Sequence, residues 1–173
     1  MREFEKKNPD ELDFNAFRTI GKDWLMICCD DEKQGHGNIM TASWGNLGIL
    51  WNKPVCTLYV RPQRHTHKLI ENSERFSACV LPEEKRSEMR FCGTKSGRDY
   101  NKFEMTGLTE IEMDGAVAIE ESSMIFVLKK LYSDELKKEC FNDSAPLAEY
   151  PADDFHTFYI CEIEGVYIAK QDS

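Results

Sequence analysis

The sequence predicts a mostly β protein: one barrel with short peripheral helices, forming a single domain over residues 1–173. Short apolar or β-branched runs bounded by turn residues indicate strands at 24–29, 55–60, 76–81, 124–131 and 155–163. The segments between the runs favour only short helices, at 66–72, 83–91, 99–103 and 134–141. Because the strands do not alternate with long helices and no GxGxxG motif follows a strand, a Rossmann domain is disfavoured.

Composition and charge narrow the class of protein. Of the 173 residues, 41% are hydrophobic and 31% are charged, and no run approaches the roughly 20 apolar residues of a membrane span. The net charge of −9 argues against nucleic acid as a partner, because phosphate backbones bind basic surfaces. The first residues are charged and lack the apolar core of a signal peptide, so we expect a cytoplasmic protein with no membrane role.

The seven cysteines predict buried thiols. Their number is odd and no CxxC spacing occurs, which argues against a disulfide framework and against a zinc site. Cys28 and Cys29 are adjacent on a predicted strand and should therefore face opposite sides of it. His65 and His67 are closely spaced but lack a third ligand, so we predict no metal.

Residues 38–48 combine small side chains with an indole. Ala42, Ser43 and Gly45 surround Trp44, and small residues let a flat ring approach the backbone closely. The alternative is a strand and turn that contain glycine and lie beside a core tryptophan.

Residues 60–72 have the features of an anion site. Pro62 fixes a turn after a strand, and Thr66 is a predicted N-cap, so Arg61 and Arg64 should lie beside a helix N-terminus. Backbone amides and guanidinium groups at such an end favour a phosphate. The alternative is a capped surface helix with two solvated arginines.

Residues 95–102 again join glycine, hydroxyl and cations before a predicted helix, and we interpret them as the second half of the anion site. Their spacing is not that of a Walker A loop, and a solvated loop is the alternative. The window 61–102 carries a charge of +4, whereas the rest of the chain carries −13. Together the three segments predict a site for a phosphorylated aromatic cofactor, which we interpret as FMN.

The motifs at 38–44, 50–54, 60–66, 92–99 and 155–160 resemble, in the same order, those of the flavin reductase-like family. This family comprises the FMN-binding split barrels, including flavoredoxin, and the resemblance covers most of the chain. It implies a Greek-key split barrel, a homodimer with FMN near the subunit interface, and NAD(P)H as co-substrate. Relatives often carry an aromatic residue where His65 or His67 stands.

The resemblance also implies a set of cofactor-binding residues. One group would border the isoalloxazine ring, a second would bind the phosphate, and a third would close the site. The complete set is Asn38, Met40, Thr41, Ala42, Ser43, Trp44, Arg61, Arg64, Thr66, Lys95, Ser96 and Lys102. We predict no catalytic acid or base, because hydride transfer to a flavin needs no protein nucleophile.

Two functional classes follow from the resemblance. The chain would be an NAD(P)H-dependent flavin reductase, or an FMN-carrying electron-transfer protein reduced by a protein partner. A flavin-binding module without redox turnover and a globular domain without a cofactor are further alternatives.

Overall fold

The computed structural model describes residues 2–170, in which ten strands and four short α-helices form. The strands are β1 (Phe4–Lys7), β2 (Leu25–Cys29), β3 (Asn38–Ala42), β4 (Gly45–Leu50), β5 (Lys53–Val60), β6 (Arg75–Val80), β7 (Glu110–Met113), β8 (Ala116–Ile119), β9 (Met124–Glu135) and β10 (Thr157–Ala169). The helices are α1 (Ala16–Arg18), α2 (His65–Asn72), α3 (Arg86–Thr94) and α4 (Lys102–Thr106). A π-helix at Thr19–Asp23 extends α1, and single 3-10 turns occur at Pro9–Glu11, Glu83–Lys85, Lys138–Cys140 and Ala145–Glu149.

The main sheet is antiparallel and its two edges are neighbours in the chain. Its strand order is β3-β2-β6-β9-β10-β5-β4, with β1 added to β10, while β7 and β8 form a separate hairpin. Only Ser43 and Trp44 separate β3 from β4. Three Cα–Cα steps span at most about 11 Å, so the sheet must curl until its edges meet at this linker. We call this meeting place the seam.

Alternation along the strands creates two hydrophobic clusters, one on each side of the curled sheet. In β2, Leu25, Ile27 and Cys29 join the inner cluster with residues of β5, β9 and β10. Met26 and Cys28 join the outer cluster, which α3, α4, β7 and β8 cover. Every residue of β2 is therefore buried, which explains why this segment reads as a continuous apolar run.

These strands confirm the predicted mostly β split barrel with short helices. The prediction of a helix at 134–141 is wrong, because β9 continues to Glu135 by pairing with Thr157 of β10. The helix predicted at 99–103 begins later, at Lys102, where the Asn101 side chain accepts a hydrogen bond from the Glu104 amide. The five predicted strand runs do not include β1, β3, β4, β7 or β8, although a strand and turn was the alternative for residues 38–48.

The cysteines lie as the sequence predicts. Six of the seven thiols are buried, and Cys28 and Cys29 belong to opposite clusters. Burial raises the pKa of the Cys56 thiol to about 12, which keeps it protonated at neutral pH. No helix within residues 2–170 is long and apolar enough to cross a membrane.

Candidate functional site

A groove opens at the seam, where the end of β3 meets the end of β5. Its volume is about 240 Å³. Seven of the predicted site residues line it, together with four that were not predicted. The lining consists of Met40, Thr41, Ala42, Ser43, Trp44, Tyr59, Val60, Arg61, Arg64, Glu149 and His156.

One wall of the groove is backbone. β3 pairs with β2 along one side, and among the described strands it pairs with no other, so alternate amides and carbonyls of β3 point away from the sheet. The Thr41 hydroxyl does not face a ligand, because it donates to the Met89 carbonyl 2.5 Å away. The groove can therefore offer backbone amides to the polar edge of a ring.

The other wall near the linker is aromatic. Trp44 is 42% exposed, and its ring centroid lies 4.9 Å from that of His156. The sequence predicted that Gly45 lets a flat ring approach the backbone. In the structure the glycine is needed for strand pairing, because a Cβ there would lie 2.8 Å from the Thr57 carbonyl oxygen. This glycine lets β4 pair closely with β5, and Trp44 is thereby held at the rim.

Arg64 supplies the cation of the groove. It is the N-cap residue of α2, it is half-buried, and burial lowers its pKa. Its Nη1 donates to the Gly93 carbonyl at 2.8 Å and its Nε lies 3.3 Å from the Met40 sulfur. Its Nη2 has no hydrogen-bond partner among residues 2–170. Together with the first amides of α2, this nitrogen suits an anion.

Arg61 also lines the groove, but its charge is already paired. Its Nη1 donates to Asp154 at 2.5 Å and its Nη2 donates to the Glu149 carbonyl at 2.8 Å. The guanidinium carbon lies 5.1 Å from the centre of the Tyr150 ring. Arg61 therefore fastens the segment before β10 against the groove.

Lys102 lies in the interior instead of lining the groove. It is 3% exposed, and its ammonium donates to the carbonyls of Ile39 at 2.7 Å and Cys92 at 2.9 Å. Burial, together with repulsion from Arg64, lowers its pKa to about 8. The sequence placed this cation at the edge of the site, whereas the fold uses it to tie β3 to α3.

The remaining predicted residues do not line the groove. Thr66 is not the N-cap; it is buried in the first turn of α2 and accepts a hydrogen bond from Asn38 Nδ2 at 2.8 Å. Ser96 accepts from the Arg98 amide, and the Lys95 ammonium lies 5.8 Å from the centre of the Tyr100 ring. Asn38 and Thr66 thus lie at the start of α2, whereas Lys95 and Ser96 lie in the loop after α3.

Sequence reasoning missed Tyr59, Val60, Glu149 and His156. His156 is buried, its Nδ1 lies 2.8 Å from the Tyr150 hydroxyl, and desolvation lowers its pKa to about 4. The imidazole is thus neutral at pH 7. It reaches the groove because Thr157 pairs with Val60, a register between distant strands that no local pattern signals.

The site fits a planar ring with an anionic tail. Outward-facing backbone and Trp44 offer the ring a polar edge and an aromatic wall, while Arg64 and the start of α2 offer the tail a cation and amides. Within residues 2–170, no three histidine, cysteine, aspartate or glutamate side chains lie close enough to hold a metal ion.

A curled antiparallel sheet whose edges meet at a seam, with a groove there that suits an anion, is a split-barrel architecture. The model of the flavin reductase like domain matches residues 17–173, so the chain belongs to this family. A search of curated proteins finds no match.

Solved structures share the fold. The FMN-binding domain of a flavin reductase-like enzyme from Shewanella baltica OS155 is 19% identical, with a TM-score of 0.69, over 96% of this chain and 78% of that one. Flavoredoxin of Desulfovibrio vulgaris (Miyazaki F) is 19% identical, with a TM-score of 0.67, over 91% and 76%. The NADH:FAD oxidoreductase of Streptomyces globisporus C-1027 is 13% identical, with a TM-score of 0.62, over 86% and 78%.

Proposed function

We propose that the chain is an FMN-binding oxidoreductase that passes reducing equivalents from NAD(P)H to flavin, or through bound FMN to an acceptor. The observation that carries this proposal is the groove itself, in which the small-residue segment and Arg64, the N-cap residue of α2, lie side by side. The family membership and the FMN named for a structural neighbour support it. We also propose that residues 1–173 form one domain.

Each part of the site would have a separate role. Met40, Ala42, Ser43 and Trp44 would border the ring, with backbone amides near 41–43 stabilising negative charge on its reduced form. Arg64 and the amides of α2 would bind the phosphate. When bound, FMN would supply the redox chemistry by accepting hydride and releasing electrons.

The rim of the groove leaves room for a second planar molecule. Trp44 and Ser43 also border a neighbouring cavity of about 490 Å³, formed with Phe17, Ile20 and Leu47. Small residues at this boundary leave the ring accessible, as a reaction with nicotinamide or acceptor requires. We assign no acid or base, because His156 is neutral and bonded to Tyr150.

Anaerobic stopped-flow absorbance tests the activity. FMN-loaded protein mixed with NADH or NADPH should lose the visible absorbance of oxidised flavin. If dithionite bleaches the flavin and neither nicotinamide does, the reductase proposal fails.

The second candidate is an electron-transfer protein reduced by a protein partner. The structural similarity to flavoredoxin of Desulfovibrio vulgaris (Miyazaki F) favours it. This candidate predicts that dithionite reduces the bound FMN and that neither NADH nor NADPH does.

We also propose a homodimer. The β4–β5 hairpin exposes Ile49 (75%) and Trp51 (55%) beside an apolar cavity of about 460 Å³. Large apolar side chains exposed together mark interaction surfaces, and two-fold self-association is the commonest form. Sedimentation velocity at micromolar concentration should show a dimer, and an FMN-bound monomer would contradict it.

A further inference from the structure

A buried carboxylate lies behind the predicted phosphate site and is not explained by packing alone. Asp31 follows β2 in a tight turn and is 3% exposed. One of its oxygens, Oδ2, lies 2.6 Å from His65 Nε2 and accepts from Gln34 Nε2 at 3.0 Å. Because a carboxylate only accepts, the histidine nitrogen donates to it. We call Asp31, Gln34, His65 and Gly97 the Asp31 network.

The network connects three distant segments of the chain. Gln34 also donates to the Gly97 carbonyl at 2.8 Å, so one side chain joins the turn after β2 to the loop after α3. His65 is the first residue of α2 and is adjacent to Arg64. A single carboxylate oxygen therefore holds both the start of α2 and the 95–98 loop.

The 95–98 loop packs tightly against its neighbours at Gly97. A Cβ at Gly97 would overlap Asn38 Oδ1 and would lie 3.1 Å from the His65 ring. Asn38 in turn donates to Thr66 in the first turn of α2. The loop, β3 and α2 are thus fitted against one another, and a change in one displaces the others.

The negative charge of Asp31 is unfavourable in this buried position next to a predicted anion site. A buried carboxylate is costly unless it is paired, and it opposes an anion bound nearby. We therefore attribute the presence of Asp31 to the positions in which its hydrogen bonds hold His65 and Gln34. Sub-ångström placement matters at such a site, because binding groups shifted by about 1 Å can lose much of their effect.

We propose that Asp31 is a positioning residue for the phosphate end of the cofactor. Through His65 it orients the first turn of α2, and through Gln34 it holds the 95–98 loop at a fixed distance from that turn. This inference rests on the proposed FMN site. It gives His65 a role that an aromatic ring without an N–H donor would not supply, since the ring nitrogen of His65 links the helix to a carboxylate.

Titration calorimetry with FMN and riboflavin tests the inference, because riboflavin lacks only the phosphate. Asp31→Asn should weaken FMN binding about tenfold and riboflavin binding by less than about twofold, on the scale of part of a charge-assisted bond. Gln34→Ala, which removes an exposed side chain, should weaken FMN binding about threefold. Asp30→Asn removes the same charge from the exposed neighbouring position and should change neither ligand.

The outcomes separate the two proposals. Equal affinity of the wild type for FMN and riboflavin would overturn the phosphate site and the role of Asp31 with it. A wild type that prefers FMN, with the same preference in Asp31→Asn and Gln34→Ala, would overturn the role of Asp31 alone. If Asp31→Asn does not fold, the ratio of the two affinities in Gln34→Ala decides.

Discussion

Arg64 and Lys102 are neighbouring cations that the fold uses in opposite ways. Both are desolvated, which lowers the pKa of each. Lys102 points inward and its ammonium is held by two carbonyls, whereas Arg64 lines the groove and keeps one nitrogen without a partner among residues 2–170. A cation near an anion site can therefore bind the anion only through a nitrogen that keeps a free donor, as Arg64 Nη2 does among residues 2–170.

The largest effect should come from removing the inward cation. Lys102→Ala would leave the carbonyls of Ile39 and Cys92 buried and unpaired, at about 1–3 kcal/mol each. We expect the free energy of unfolding to fall by about 2–5 kcal/mol in denaturant titration of the apo protein. Lys95→Ala, at an exposed position, is the matched control, and equal stability of the two variants would show that Lys102 is not structural.

The outward cation should behave in the reverse manner. Arg64→Ala should weaken FMN binding by about 1.5–3 kcal/mol, the scale of a charge-assisted bond. It should lower the stability of the apo protein less than Lys102→Ala does, because it unpairs one carbonyl, that of Gly93, instead of two. Arg90→Ala removes an exposed arginine of α3 and should leave FMN affinity unchanged. A much lower melting temperature with unchanged FMN affinity would make Arg64 structural.

The pH dependence of stability tests whether burial lowers the pKa of Lys102. The pKa of Lys102 is lowered from 10.5 to about 8, so between these values the unfolded chain holds a proton that the folded chain has lost. Stability must then rise with pH in this window, by up to about 1.4 kcal/mol per pH unit. The contribution of Lys102 is obtained by subtracting the pH profile of the free energy of unfolding of Lys102→Met from that of the wild type. A flat difference from pH 8 to 10 would mean that the two carbonyls keep the ammonium charged.

The smallest effect should come from Lys95. Its ammonium lies over Tyr100 at the surface, so Lys95→Ala should weaken FMN binding by less than about 1 kcal/mol, and high salt should abolish the difference. Titration at two ionic strengths measures it. A loss as large as that of Arg64→Ala would place Lys95 in the site.

The sequence predicted the parts of the site that are local. The strand runs, the small residues before Trp44 and the arginines after β5 lie close together in the chain, and the groove gathers them. It did not predict the inward turn of Lys102, because that depends on where the carbonyls of two other elements point.

Two other differences have separate causes. His156 enters the groove through the pairing of β5 with β10, which is long-range. β7 and β8 are four residues each, and Glu110–Met113 alternates acidic and apolar residues, which is a local strand signal without a continuous apolar run.

One measurement tests the central claim, that the groove binds FMN with its phosphate at the start of α2. It is the difference in binding free energy between FMN and riboflavin, measured by calorimetry for the wild type and for Arg64→Ala. We expect the wild type to prefer FMN and Arg64→Ala to lose most of this preference. Equal affinity of the wild type for the two flavins, or an undiminished preference in Arg64→Ala, would contradict it.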